Sequence, residues 1–208
     1  YSAKLIAVTS VIGSQNTAGP DEKILLRLVK ANDEQVARLL QQEGPGRGRA
    51  PAHGTARLAS AYSYPGSKFY KSPEIPPKLE QMAAALLAAQ TPDGTINAGN
   101  LESPPDTAFI LEPLCAWVTI LMKHDASVLD KAKEDYRKFI IHAGEGLTTG
   151  GAHTPNHRWA ICSALSWIHS LYPDQKYVDR VNEWLGDGVF QDSDGHYPER
   201  SRNYSEVE

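Results

Sequence analysis

Apolar positions recur at helical spacing along almost the whole chain. In residues 21–43, DEKILLRLVKANDEQVARLLQQE, the residues Ile24, Leu25, Leu28, Val29, Val36, Leu39 and Leu40 fall on one helical face. Acids at the start suit the positive end of the helix dipole. The stretch EGPGRGRAPAHG (Glu43–Gly54) reads as a basic Gly/Pro break, and TARLASAYS as a short helix. Next, SPEIPPKLEQMAAALLAAQ opens on prolines that a first helical turn tolerates, then runs into an Ala/Leu helix.

The second half repeats the pattern. TPDGTINAGNLESPPD (Thr91–Asp106) predicts a long loop with an Asp-Gly turn. TAFILEPLCAWVTILMKH predicts a strongly apolar helix, kinked or broken at Pro113. ASVLDKAKEDYRKFIIHAG predicts a charged amphipathic helix, GGAHTPNHRWAICSAL opens a helix running to about Tyr172, and DQKYVDRVNEWLGDG predicts another. About seven helices, greasy alternating with charged, predict an all-α fold of helical hairpins in series. That pattern fits an α-solenoid or part of an α/α toroid, with greasy helices inside and charged ones outside.

The 208 residues fall within the range of one domain. The expected division is an N-terminal arm over residues 1–20 and a partial α/α toroid over 21–208. KLIAVTSVIG (Lys4–Gly13) is too short to span a bilayer; it reads as a strand, a packed arm or the remnant of an export signal. At the other end, NYSEVE has the Ser-x-x-Glu form of a helix start. The expectation is therefore a chain truncated from a longer polypeptide, with its downstream domain missing.

A net charge of −4 argues against bulk nucleic-acid binding, though not against a local basic pocket. Cys115 and Cys162, each in an apolar helical run, read as buried free thiols, the alternative being a disulfide between neighbouring helices. The DSDG sequence (Asp192–Gly195) starts like a calcium loop but lacks the later ligands, so it reads as a turn. No metal site and no organic cofactor are expected.

Three clusters carry candidate chemistry. Asn156, His157 and Arg158 follow a Gly-Gly approach at a helix mouth. There the helix dipole favours an anion, Asn adds an amide donor, Arg a planar cation, and His a group that moves protons near neutral pH. The bland alternative is a capping Asn, a partnered His and a surface Arg. In YPERSRNYS (Tyr197–Ser205), Arg200 and Arg202 flank the approach to Tyr204, and neighbouring guanidiniums favour a phenolate able to act as acid or base. The alternative is a solvated charged loop. In NAGNLESPPDTAF (Asn97–Phe109), Asn100, Glu102 and Asp106 suit hydrogen bonds to sugar hydroxyls, while Asp106 or Thr107 also suits a helix cap. Trp159 offers a stacking face; Trp117, Trp167 and Trp184 read as helix packing.

Together, GGAHTPNHRW, GNLESPPDTAF and DGHYPERSRNYSEVE resemble the N-terminal helical part of bacterial α/α-toroid polysaccharide lyases. The broad relatives are heparinase II/III-like uronate lyases. The narrower likeness is to the L-rhamnose-α-1,4-D-glucuronate lyases, which act on gum-arabic-type arabinogalactan. The resemblance covers roughly Pro92–Glu208. It implies β-elimination beside a uronate, with Asn156 neutralising the carboxylate, His157 as base or electrostatic partner, and Tyr204 as acid, or as acid and base. Arg158, Arg200 and Arg202, with Asn100, Asp106, His153 and Trp159, become the expected substrate contacts. It further implies an acidic polysaccharide substrate, a secreted or periplasmic setting, and a following β-sheet domain as intramolecular partner. Nucleic acid and a membrane span are not expected. The rival readings are a glycoside hydrolase using two of Glu102, Asp106 and Glu199, and a non-catalytic carbohydrate-binding or scaffold module.

Overall fold

A computed structural model describes residues 22–97, 102–151, 154–186, 188 and 190–196. Among these are seven α-helices: α1 (Glu22–Gln41), α2 (Ala50–Ser63), α3 (Ile75–Ala89), α4 (Pro104–Leu121), α5 (Asp130–Thr149), α6 (Pro155–Leu171) and α7 (Gln175–Gly186). A 3₁₀ turn over Ser127–Leu129 leads into α5. Among the described residues extended pairing is confined to two isolated bridges, Gln90 with Ile96 and Asn97 with Glu102. The fold is all-α, as the pattern predicts. The expected arm over 1–20 lies outside the described residues.

The helices stack as two rows. α2, α4 and α6 pack side by side in one row, α3, α5 and α7 in the other, and α1 packs on α2. Across the rows α2 packs on α3, α4 on α5 and α6 on α7, so each of these hairpins places one helix in each row. The rows are open among the described residues: α1 and α7 share no substantial contact. The greasy-inside rule holds for α4, which lies against α2, α5 and α6 and fully buries Leu111, Leu114, Cys115 and Val118. It fails for α3, an apolar helix in the second row, which packs on both α2 and α5 and so has two faces to bury.

Local chemistry explains several boundaries. Prolines occupy the first turns of α2, α3, α4 and α6, where an N–H is not required. α2 begins at Ala50, inside the stretch expected to be a break, because Pro51 starts a helix as readily as it ends one. α4 continues unbroken through Pro113. The ring deprives the Phe109 carbonyl of its helical partner, yet packing on three sides holds the helix together. In α1 the expected apolar stripe is realised only in the second half. Val36 is buried and Leu39 and Leu40 pack on the core, whereas Ile24 and Leu28 are 53% and 63% exposed. No described helix is long and apolar enough to cross a membrane.

Polar ties hold the rows in register. The buried Tyr136 hydroxyl of α5 lies 2.6 Å from Thr55 Oγ1 of α2 and donates to the Leu79 carbonyl of α3 at 3.1 Å. Asp33 of α1, also buried, accepts from Ser67 Oγ at 2.6 Å and Lys68 N at 3.0 Å. The Asp-Gly turn after α3 nests on α5. Gly94 has φ +91°, and a Cβ there would lie 2.0 Å from the His142 carbonyl oxygen, so no other residue fits. Cys115 and Cys162 are both buried free thiols.

Candidate functional site

The N-terminal ends of the first-row helices share one rim. Arg49, immediately before α2, reaches Asp106 in the first turn of α4, Nη2 to Oδ1 at 2.7 Å. Phe109, one turn further along α4, meets the His157 ring of α6 edge to face at 6.2 Å. The Arg49 guanidinium lies over that same Phe109 ring at 5.4 Å. Three helix N-termini, Arg49 and His157 thus converge on one side of the fold. Aligned N-termini carry partial positive charge, so the rim favours anions.

Thr154, not Asn156, holds the N-cap position of α6, in extended conformation; its carbonyl accepts the Arg158 N–H at 3.2 Å. Asn156 sits within the first turn, 3% exposed, with the Thr154 hydroxyl donating to its Oδ1 at 2.5 Å. A buried amide held this way has a fixed orientation, which a surface cap does not need. His157, Arg158 and Trp159 follow half-buried. The Arg158 guanidinium donates to the Gly188 carbonyl at 3.0 Å and lies 5.7 Å from the Trp184 ring. On that same ring, at 4.5 Å, sits Arg180, which also donates to the Gly150 carbonyl at 2.7 Å. Trp184 therefore clamps the segment after α7 and the α5–α6 connection to the start of α6. This is the packing role expected of it, whereas Trp167 is exposed at 36% and departs from that expectation.

The expectation that Asp106 or Thr107 caps α4 is not met, and both have other roles. The N-cap is Ser103, whose hydroxyl accepts from Asp106 N at 3.3 Å. Asp106 pairs with Arg49. Thr107 donates to the Ser103 carbonyl at 2.8 Å and accepts from Ile96 N at 2.9 Å, joining the loop to the helix. Glu102 is exposed beside the short bridge to Asn97. Asn100, His153, Glu199, Arg200, Arg202 and Tyr204 lie outside the described residues.

Cys162, one helical turn after Arg158, is pushed up by burial, partly offset by Arg158 and Arg180; burial alone raises Cys115 well above the usual thiol range. Neither suits a thiolate nucleophile. The DSDG segment forms the expected turn. Asp192 accepts from Asp194 N at 3.0 Å and His196 N at 2.9 Å, and Gly195 adopts φ +83°. Ligand atoms of Asp192, Asp194 and His196 fall within 4.8 Å of one another on the surface. The backbone bonds to Asp192 already explain this gathering as an Asx turn.

Arg49 and Phe109 are the rim residues that the sequence reading did not single out. The signal for Arg49 was the basic Gly/Pro stretch before α2; Phe109 gave none, being one apolar residue of a greasy helix. No family model, curated protein or solved structure matches the chain.

Proposed function

We propose that the chain is part of a polysaccharide lyase that cleaves beside a uronic acid by β-elimination, on an α/α toroid of which these hairpins form a portion. The observation that carries this reading is the first turn of α6. A buried, oriented Asn156 and a half-buried His157 sit on a rim where three helix N-termini and Arg49 favour an anion.

Elimination is the chemistry that such a rim serves. The C5 proton beside a uronate carboxylate leaves readily only when the carboxylate is neutralised and the enolate-like intermediate is stabilised. Asn156 supplies an oriented amide for that group, and the helix N-termini add a favourable field. His157 takes the C5 proton. The C5–H bonding pair, held in the enolate-like intermediate, forms the C4=C5 double bond as the C4–O4 bond breaks with its pair on O4, and O4 takes a proton from the acid, a role the resemblance gives to Tyr204. The step consumes no water and no oxidant, so an organic cofactor has no part in it. The substrate class is an acidic polysaccharide, with glucuronate linked to L-rhamnose as the narrower choice. A polymer of that size calls for a secreted or periplasmic enzyme, and a following β-sheet domain completes the cleft.

The test is ultraviolet absorbance of the unsaturated uronate, on gum arabic and other uronate polysaccharides, with this chain and with its longest natural form. A rise that disappears in His157→Ala and in Tyr204→Phe, with helical circular dichroism intact, is the expected result. New reducing ends without absorbance would replace the reading with a hydrolase. Binding without cleavage would replace it with a carbohydrate-binding module.

A further inference from the structure

Arg49 is placed as a carboxylate receptor already holding a carboxylate. Its guanidinium makes one hydrogen bond among the described residues, to a single oxygen of Asp106. A guanidinium offers five donors in a planar fork that suits both oxygens of a carboxylate, so this pairing leaves most of its capacity unused. The Phe109 ring holds it in place without engaging a donor. Both members of the pair face water, the side chains being 53% and 36% exposed, and solvent screens such pairs enough that another anion can compete. Phe109 is also the ring that His157 touches, so guanidinium and imidazole are neighbours of one side chain.

We propose that Arg49 recognises a substrate carboxylate, and that Asp106 is its internal stand-in, displaced when the substrate binds. This rests on the uronate reading above and extends it: the Asp106 carboxylate does not contact substrate but competes with it. A purely structural tie between α2 and α4 predicts that loss of either partner has the same effect. Displacement predicts opposite effects, because removing Arg49 removes the receptor, whereas removing the Asp106 charge removes the competitor.

The experiment is calorimetric binding of glucuronate-containing oligosaccharides from gum arabic to the full chain and to Arg49→Gln, Arg49→Lys and Asp106→Asn, with a thermal melt of each. Methyl-esterified oligosaccharides serve as the uncharged control. Arg49→Gln is expected to bind about tenfold more weakly, the scale of a charge-assisted hydrogen bond. Arg49→Lys, which keeps the charge but loses the fork, should fall between. Asp106→Asn should bind about threefold more tightly, the scale of an exposed pair. These differences should vanish with the ester. Equal weakening by Arg49→Gln and Asp106→Asn, or no change in either, would overturn the inference while the absorbance assay still decides the lyase reading. Arg49-dependent binding without any absorbance rise would sink the lyase reading and leave Arg49 in its role. No binding by the unmodified protein in its longest natural form would overturn both.

Discussion

The same three helices, α2, α4 and α6, build two unlike regions. Along their middles they are packed apolar surface, with Leu58, Leu111, Leu114, Ala164 and Leu165 fully buried. At their N-terminal rim Arg49, Asp106, His157 and Arg158, with the buried Asn156 behind them, lie among Gly/Pro-rich connections. The middle tolerates one arrangement, since close-packed side chains have no room to move. The rim is held by a few hydrogen bonds and ring contacts, several half-exposed, and can exchange partners. Stability is thus concentrated in the middle and exchangeable polar groups at the rim, and if the rim carries the proposed elimination, substitutions should separate the two.

The sharpest separation comes from His157→Ala. It is expected to abolish elimination while the melting temperature moves little, because the half-buried imidazole's ring contact, to Phe109, is edge-on. Assay and melt on one preparation check this. A large loss of stability with activity retained would reverse the division. Leu114→Ala is the converse. It opens a cavity at the centre of α4 and should cost about 2–5 kcal/mol. For a chain of this length that lowers the melting temperature by roughly 5–15 °C, with turnover per folded molecule unchanged.

Tyr136→Phe probes the polar tie in the packed middle. Two hydroxyl protons, from Thr55 and Tyr136, serve three contacts: to each other, to the Pro51 carbonyl and to the Leu79 carbonyl. Thr55 keeps Pro51 when the tyrosine hydroxyl goes, and the Leu79 carbonyl, inside α3, loses its side-chain donor. The expected cost is about 0.5–1.5 kcal/mol by chemical denaturation. The tyrosine stays neutral throughout the ordinary pH range, since burial raises its hydroxyl far above the usual value.

The middle was far more legible in the sequence than the rim. Helical period alone located all seven helices, because burial of an apolar stripe imposes it. The failures share one cause, tertiary partners that a local pattern does not contain. Ile24 and Leu28 continue the α1 stripe, but nothing described covers them. Pro113 reads as a break, but neighbours on three sides keep α4 whole. At the rim, His157 and Arg158 stood out by their adjacency. The Arg49–Phe109–His157 chain could not, since its members are 60 and 48 positions apart along the sequence and meet only because the three helices start on the same side. Asp106 was visible as a carboxylate, and its partner was not.

The smallest expected effect is a pH dependence where the Asp-Gly turn nests on α5. Hydrogen bonds from the Thr91 hydroxyl, the Thr95 amide and the Thr95 hydroxyl hold the Asp93 carboxyl below its usual range. A carboxyl depressed in the folded state binds its proton more readily when unfolded. Its contribution is therefore complete above the unfolded value, about 3.9, and is lost as pH falls through the lower folded value. Asp93 is exposed, so water screens much of this and the effect is small. Asp93→Asn should lower stability slightly at neutral pH, with the difference from the unmodified chain shrinking toward pH 2 in denaturant titrations. The loop's seat would remain, because Gly94 still meets the His142 carbonyl and Gly146 still admits the Asp93 backbone, where a Cβ would come within 2.7 Å of that carbonyl oxygen. A difference that instead grew as pH fell would mean that the carboxyl favours its proton in the fold, and would overturn the hydrogen-bond assignment at this turn.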